Sequence, residues 1–189
     1  MGRLKLQMQV SADGLVAAST QTGPGYFHWN DEVREYSIAN VTNVDGILLG
    51  RKTASGFIPH WKSVAGDSNN ADCDFGKRVT DIPKIVFSRT LPRSEWPNTT
   101  ALNGEIVASV NQLKRQTNRD LMVYGGSNFV TSLIEHDLID EYHLLLNPVL
   151  LGDGLTIFGG LNDAERLTLV TSRVFSCGTV LLCYTPLRD

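Results

Sequence analysis

The sequence predicts an α/β protein built on one mostly parallel sheet and finished by antiparallel strands. Three observations carry this expectation. Short apolar runs alternate with helical patterns as far as residue 139. Beyond it, three strand-like segments follow one another with no helix between them. Two of the apolar runs end in glycine just where a helix begins. The 189 residues, 42% of them apolar and 20% charged, suit one compact domain over residues 1–189 with a real core.

In chain order, Leu4 to Val10 alternates apolar and polar residues and reads as a strand. It runs into a turn signal, Ser11-Ala12-Asp13-Gly14, and a small-residue loop through Gly25. Asp31 is the expected N-cap of a helix over Glu32 to Asn40. Asp45 to Leu49 is an apolar strand that stops at Gly50, where a short helix is expected, and Pro59 to Asp74 reads as polar loop. Lys84 to Ser88 and a shorter stretch, Glu105 to Ala108, read as strands, and Ser109 to Thr117 as a helix. Leu121 to Tyr124 is a strand ending in Gly125-Gly126. The helix after it carries Phe129, Val130, Leu133, Ile134 and Leu138 on one stripe. The closing strands are expected at Tyr142 to Leu151, Arg166 to Phe175 and Thr179 to Thr185.

Composition removes several function classes. A formal charge of −3 with Lys and Arg scattered singly argues against a nucleic-acid partner. No apolar run approaches the roughly 20 residues a membrane span needs. Met1 to Val10 reads as a strand and not as a signal peptide, so the cytoplasm is expected. Cys73, Cys177 and Cys183 are odd in number and lack CxxC spacing; reduced thiols are expected, with Cys177 and Cys183 on one strand face. His28, His60, His136 and His143 do not fall at metal-ligand spacing, so no metal is expected.

The chemistry is sought where an apolar strand, a glycine and a helix start follow in order. This happens at Gly50-Arg51-Lys52-Thr53 and again at Gly125-Gly126-Ser127. A helix N-terminus presents unpaired N–H groups and a positive dipole end, and glycine lets an anion approach the backbone. Arg51 and Lys52 add charge and Thr53 a hydroxyl. The plainer alternative is that these glycines only make tight turns. Ser88-Arg89 at a strand end is a further anion-binding candidate, or an ordinary strand end.

The order Asp13-Gly14, Gly50-Arg51-Lys52-Thr53, Ser88-Arg89, Gly125-Gly126 resembles dihydrofolate reductase. The stretches Leu138 to Tyr142 and Asn147 to Gly154 are similar to the reductase domain of the bifunctional riboflavin-biosynthesis deaminase/reductase and its small stand-alone relatives. The resemblance implies a dihydrofolate reductase-like three-layer fold and an oxidoreductase using NADPH on a pterin-like or pyrimidine-like heterocycle. It also implies a cytoplasmic homodimer. Carried over by position, Gly50 to Thr53 and Gly125 to Ser127 would hold the pyrophosphate, and Arg51, Ser88 and Arg89 the adenosine 2′-phosphate. The family's carboxylate on the first helix is replaced: counting on from Trp29 puts Arg34 at its position, with Glu35 beside it. Arg34 and Glu35 are therefore the candidate catalytic pair, with Arg34 expected to hold a small anionic substrate. Trp29 and Phe57 are candidate walls of the substrate pocket, and equally candidate core residues. The zinc signature of a deaminase half is missing from these residues. A flavin or quinone reductase, and an NADP(H)-binding module without turnover, stand as alternatives.

Overall fold

The computed structural model describes residues 1–20, 25–90, 96–161 and 163–188. Of the loop expected through Gly25, positions 21–24 lie outside the described residues. Among the described residues, ten strands and five helices follow in the order β1 Leu4–Ser11, β2 Ala17–Ala18, α1 Asp31–Asn40, β3 Val44–Gly50, α2 Arg51–Gly66, α3 Cys73–Asp81, β4 Lys84–Phe87 and β5 Thr99–Leu102. The second half runs α4 Ile106–Gln116, β6 Asp120–Val123, α5 Ser127–Glu135, β7 Glu141–Asn147, β8 Gly154–Leu155, β9 Leu167–Val174 and β10 Val180–Pro186.

Eight strands form one sheet in the order β5-β4-β3-β6-β1-β7-β10-β9. The first six run parallel, while β10 is antiparallel to both β7 and β9. Helices cover both faces. Val110 of α4 and Val130 and Leu133 of α5 pack on Leu4, Leu6 and Val123 on one side. On the other, Ala54 and Ile58 of α2 and Phe75 and Val79 of α3 pack on Ile47, Leu49 and Met122, and Val33 of α1 on Leu145 and Leu181. This is the mostly parallel sheet, covered on both faces and finished by antiparallel strands, that the strand-and-helix alternation predicts.

The central strand β1 shows why period-2 alternation was only half of the message. Its apolar residues Leu4 and Leu6 are buried, but so is Gln7, because α1 covers the polar face as well. That face survives burial by pairing. Gln7 donates to the Ser37 hydroxyl at 2.9 Å and accepts from Asn40 at 2.7 Å, and Lys5 meets Asp120 at 2.7 Å.

Several local expectations are corrected. The α1 N-cap is Asn30, whose side chain accepts from the Val33 N–H, and not Asp31, which is already helical. The helix after Gly50 is long, because α2 continues through Pro59 to Gly66, and α3 begins at Cys73, so Pro59–Asp74 is mostly helical. Proline inside a helix costs about 3 kcal/mol. The buried residues Ala54, Ile58 and Val64, with Phe57 and Trp61 beside them, offset it by burial. The strand expected over Glu105–Ala108 lies earlier, at Thr99–Leu102, and α4 starts at Ile106. Strand β7 stops at Asn147, short of Leu151, and Cys177 sits in the turn before β10, so the two cysteines do not share a strand.

Candidate active site

Strands β3 and β6 are neighbours, yet the helices that follow them leave in opposite directions: α2 to the face with α1 and α3, α5 to the face with α4. Such a divergence opens a crevice at the carboxyl ends of the strands. Here it is a cleft of about 1030 Å³, lined by both helix starts, by the end of β4 and by Val16, Ala17 and Leu155 of the small β2–β8 ribbon. The volume sits at the upper end of small-ligand sites, which run to about 1,000 Å³.

Gly50 and Gly126 occupy the N-cap positions of α2 and α5, and neither helix receives a side-chain cap. Both therefore leave first-turn N–H groups facing the cleft. The glycines are required by space. A Cβ on Gly126 (φ +88°) would lie 2.8 Å from the Thr53 hydroxyl, and one on Gly50 would lie 3.0 Å from Phe129 Cβ. Gly125 (φ +151°) lies outside the cleft lining and makes the turn over Met8, whose Cε would be 3.5 Å from an added Cβ.

The cleft wall brings together Gly50, Arg51, Lys52, Thr53, Ser88, Arg89, Gly126 and Ser127, which are far apart in sequence. Arg51 Nη1 donates to the Thr90 hydroxyl at 2.9 Å, which ties the start of α2 to the loop after β4. Among the described residues, three cationic side chains, Arg51, Lys52 and Arg89, line the cleft and no Asp or Glu does. In a chain of net charge −3 this concentration of positive charge selects for an anion. Another hollow, about 630 Å³, is lined among the described residues by Glu135, Asp137, Asp163 and Glu165, with Arg188 as the cation. Phosphates are repelled there and attracted to the first cleft.

The expected substrate half lies apart from this wall. Arg34 Nε donates to Asp72 at 2.5 Å and its Nη1 to Asp31 at 2.6 Å, and these bonds to two carboxylates raise the guanidinium's pKa. Two donor atoms of Arg34, Nε and Nη1, are thus given to carboxylates of the chain itself. Glu35 is exposed on α1 and is not a cleft residue. Trp29 packs on Phe75 with ring centroids 5.6 Å apart and donates its indole N–H to Asp72 at 2.9 Å. Phe57 stacks on Tyr124 at 5.6 Å, immediately before Gly125. Burial pushes the Tyr124 phenol up, and its hydroxyl has no hydrogen-bond partner among the described residues.

Two groups escaped the sequence reading. Asp72 is one, hidden because it fell in the stretch expected to be loop. The other is the buried set of Glu141, His143, Tyr36 and Cys183 beneath α1. His143 Nε2 lies 2.6 Å from Glu141 and its Nδ1 3.4 Å from Cys183 Sγ, with the Tyr36 hydroxyl on the same nitrogen. Burial pushes the imidazole down, but its bonds to Cys183 and Glu141 outweigh this and its pKa is raised. Glu141 and His143, two apart on one strand, were the only part of this set visible in sequence.

A doubly wound sheet with a cationic cleft at its switch point defines an α/β protein of the dihydrofolate reductase-like fold. The chain belongs to the RibD C-terminal domain family, whose model matches residues 3–181. It is 30% identical over 186 residues to the uncharacterised Bacillus subtilis protein YyaP, covering 96% of this chain and 94% of that one. Among solved structures it resembles the Thermotoga maritima diaminohydroxyphosphoribosylaminopyrimidine deaminase/5-amino-6-(5-phosphoribosylamino)uracil reductase. The TM-score is 0.69 and the identity 18%, over 98% of this chain and 56% of that one. It also resembles Enterococcus faecalis dihydrofolate reductase complexed with NADP(H), with a TM-score of 0.64 and 13% identity over 99% of this chain and 98% of that one. These likenesses show the fold. Among the described residues, no helix is long and apolar enough to cross a membrane, and no cluster of His, Cys, Asp or Glu could hold a metal ion.

Proposed function

We propose that this protein is an NADPH-dependent reductase of a pterin-like or pyrimidine-like heterocycle. The observation that carries the reading is the cleft itself, where two uncapped helix N-termini meet under Arg51, Lys52 and Arg89, with no carboxylate among the described lining residues. The residues fit a dinucleotide diphosphate. Gly50 to Thr53 and Gly126-Ser127 offer backbone N–H groups at a spot where a Cβ would intrude, with Gly125 shaping the turn. Arg51, Ser88 and Arg89 stand where a 2′-phosphate would need charge-assisted donors. Bound there, NADPH would supply the hydride; the chain's own part is to orient the cofactor and the heterocycle and to keep water out.

Calorimetric titration tests the cofactor assignment. One or two charge-assisted contacts, each worth about 1.5–3 kcal/mol, make NADPH bind at least tenfold tighter than NADH. Arg51→Ala removes most of that preference. Equal affinity of the wild type for both dinucleotides would falsify the assignment. Because the first helix carries no carboxylate at the position of Arg34, dihydrofolate is expected to be a poor substrate. Following NADPH absorbance with dihydrofolate, flavins and the riboflavin-pathway pyrimidine in parallel checks this. Binding without turnover on any of them would favour a cofactor-binding module.

A further inference from the structure

We propose that His143, buried beneath α1, is a proton-operated latch that fastens the C-terminal half of this helix to the sheet. Such a helix depends on a latch. Of its ten residues only Val33 and Ser37 are buried, whereas the nine of α5 bury Val130, Leu133 and Ile134. With so little apolar area covered, polar contacts decide how firmly α1 sits on the strands. Two sets of contacts serve its C-terminal half. Gln7 of β1 donates to the Ser37 hydroxyl at 2.9 Å and accepts from Asn40 at 2.7 Å. Neither of these bonds involves a group that titrates. The second set is the Tyr36 hydroxyl on His143 Nδ1, and this one does.

The groups facing the imidazole from each neighbouring element fit this role. On its own strand, Glu141 Oε1 lies 2.6 Å from Nε2 and keeps a proton on that nitrogen. Arg3, just before β1, meets Glu141 at 2.8 Å, and Lys5 of β1 stands between Glu141 at 4.0 Å and Asp120 of β6 at 2.7 Å. From β10, Cys183 Sγ lies 3.4 Å from Nδ1 and 3.6 Å from the Tyr36 hydroxyl. From β9, Arg173 faces Glu32 of α1 at 3.7 Å and lies over Phe175, whose ring centroid is 6.1 Å from that of Tyr36. Tyr124, after β6, keeps its phenolic proton, because burial pushes its pKa up.

The network has two states of unequal strength. With Nδ1 bare, the Tyr36 hydroxyl donates to a neutral ring and the Cys183 thiol donates to the Tyr36 oxygen. With Nδ1 protonated, the imidazolium donates to the Tyr36 oxygen and the Tyr36 hydroxyl turns to Cys183 Sγ. The bond between sheet and helix is then charge-assisted, and Glu141 balances the charge. The sign of the pH effect follows. Burial pushes the His143 pKa down, but the bonds to Cys183 and Glu141 outweigh it, so the folded chain holds this proton more tightly than the unfolded one. A raised histidine contributes stability below its unfolded value, about 6.5, and loses it as pH rises through the folded value. The C-terminal half of α1 therefore opens more readily on the alkaline side. Its N-terminal half keeps the bond of Arg34 to Asp72, neither of which changes charge there.

Native-state hydrogen exchange on the full chain, read by NMR and corrected for the intrinsic rate at each pH, tests the latch. The amides of Ser37 to Val41 are compared with those of Val130 to Ile134 in α5. Helix α3 is not a suitable reference, because Lys84, whose pKa burial lowers to about 8, bonds the Thr80 carbonyl of that helix. Between about pH 6 and about pH 9, protection of the α1 amides should fall at least about fivefold relative to α5. The midpoint should coincide with the titration of the His143 ring resonances in the same sample. His143→Gln, which cannot take up the proton, should make the ratio independent of pH. Tyr36→Phe should leave His143 titrating while the α1 amides no longer follow it. A constant ratio in the wild type, a midpoint apart from that of His143, or an unchanged pH dependence in either variant overturns the proposal. If neither variant folds, the coincidence of midpoints in the wild type decides alone.

Discussion

Asp13 is where two of the glycine-bearing motifs of this sequence meet. Its carboxylate accepts from the Ser11 hydroxyl at 2.6 Å and from the backbone N–H groups of Leu151 and Gly152, the latter at 2.7 Å. The Asp13-Gly14 turn therefore clasps the loop after Asn147, so two segments recognisable separately in sequence are one device in space. The Ser11 bond, followed by the Gly152 and Leu151 bonds, lowers the Asp13 pKa to about 2. A depressed carboxylate stabilises the fold above its unfolded pKa, near 3.9, and loses that contribution as pH falls toward the folded value. Acid unfolding followed by circular dichroism should show a component between about pH 4 and pH 2 in the wild type. Asp13→Asn should flatten it. An unchanged slope would mean that the clasp contributes nothing to stability. Arg34 teaches the opposite lesson at this scale: its position was legible by counting from Trp29, but its two carboxylate partners were not. One of them, Asp72, comes from 38 residues away through tertiary packing.

Among the elements, the glycine-to-helix junctions were the clearest signal, because an apolar run that stops at glycine leaves few structural options. Gly50 and Gly126 do open α2 and α5, and the pairing of their N-termini explains why both must lack a side chain. Gly126→Ala forces a left-handed backbone, costing about 1–2 kcal/mol, and pushes on the Thr53 hydroxyl. At roughly 2–4 °C per kcal/mol for a chain of this size, Tm should fall by about 2–8 °C. NADPH binding should weaken at least tenfold. Gly56 lies mid-helix in α2 with nothing within 4 Å of an added Cβ, so Gly56→Ala should raise Tm by about 1–4 °C and leave binding unchanged. Thermal melts that moved in the same direction for both variants would refute the distinction. The elements misread from sequence share one physical cause. Pro59 and the polar residues around it signal a loop locally, but Ile58 and Val64 bury against the sheet and α3, and tertiary packing overrides propensity. Residues 105–108 read as strand for the same reason in reverse: Ile106 and Val107 carry β-branched side chains, yet Ile106 and Val110 face the core at helical spacing.

At the scale of the whole molecule, the two ends of the sheet are finished differently. The β5 end is short, at four residues, whereas β9 is eight residues long and exposed along its whole length. In register across the last three strands, Leu146, Val180 and Val174 stand side by side, and Leu144, Leu182 and Ser172 form the next row. The alternate residues Leu145 and Leu181 are buried beneath α1. The rows of Leu146 and Leu144 point the other way and are only half covered, ending in Val174 at 73% exposure, with Val170 at 60% beside them. A long open edge beside an apolar face invites pairing, and most soluble proteins blunt such an edge with charge, proline or a covering helix. Arg173 does not blunt it, because it lies over the Phe175 ring on the α1 side. We propose that a second copy of the chain covers this surface, making a homodimer about a two-fold axis through the C-terminal strands. Standard-sized interfaces bury about 800 Å² per partner, within reach of three adjacent strands. Light scattering at micromolar concentration should give about twice 20.8 kDa. Val170→Lys with Val174→Lys should halve that mass and leave the circular dichroism spectrum intact, since both side chains face solvent in the single chain. A wild-type mass of one chain, or a double variant that stays paired, would remove the C-terminal strands as the interface.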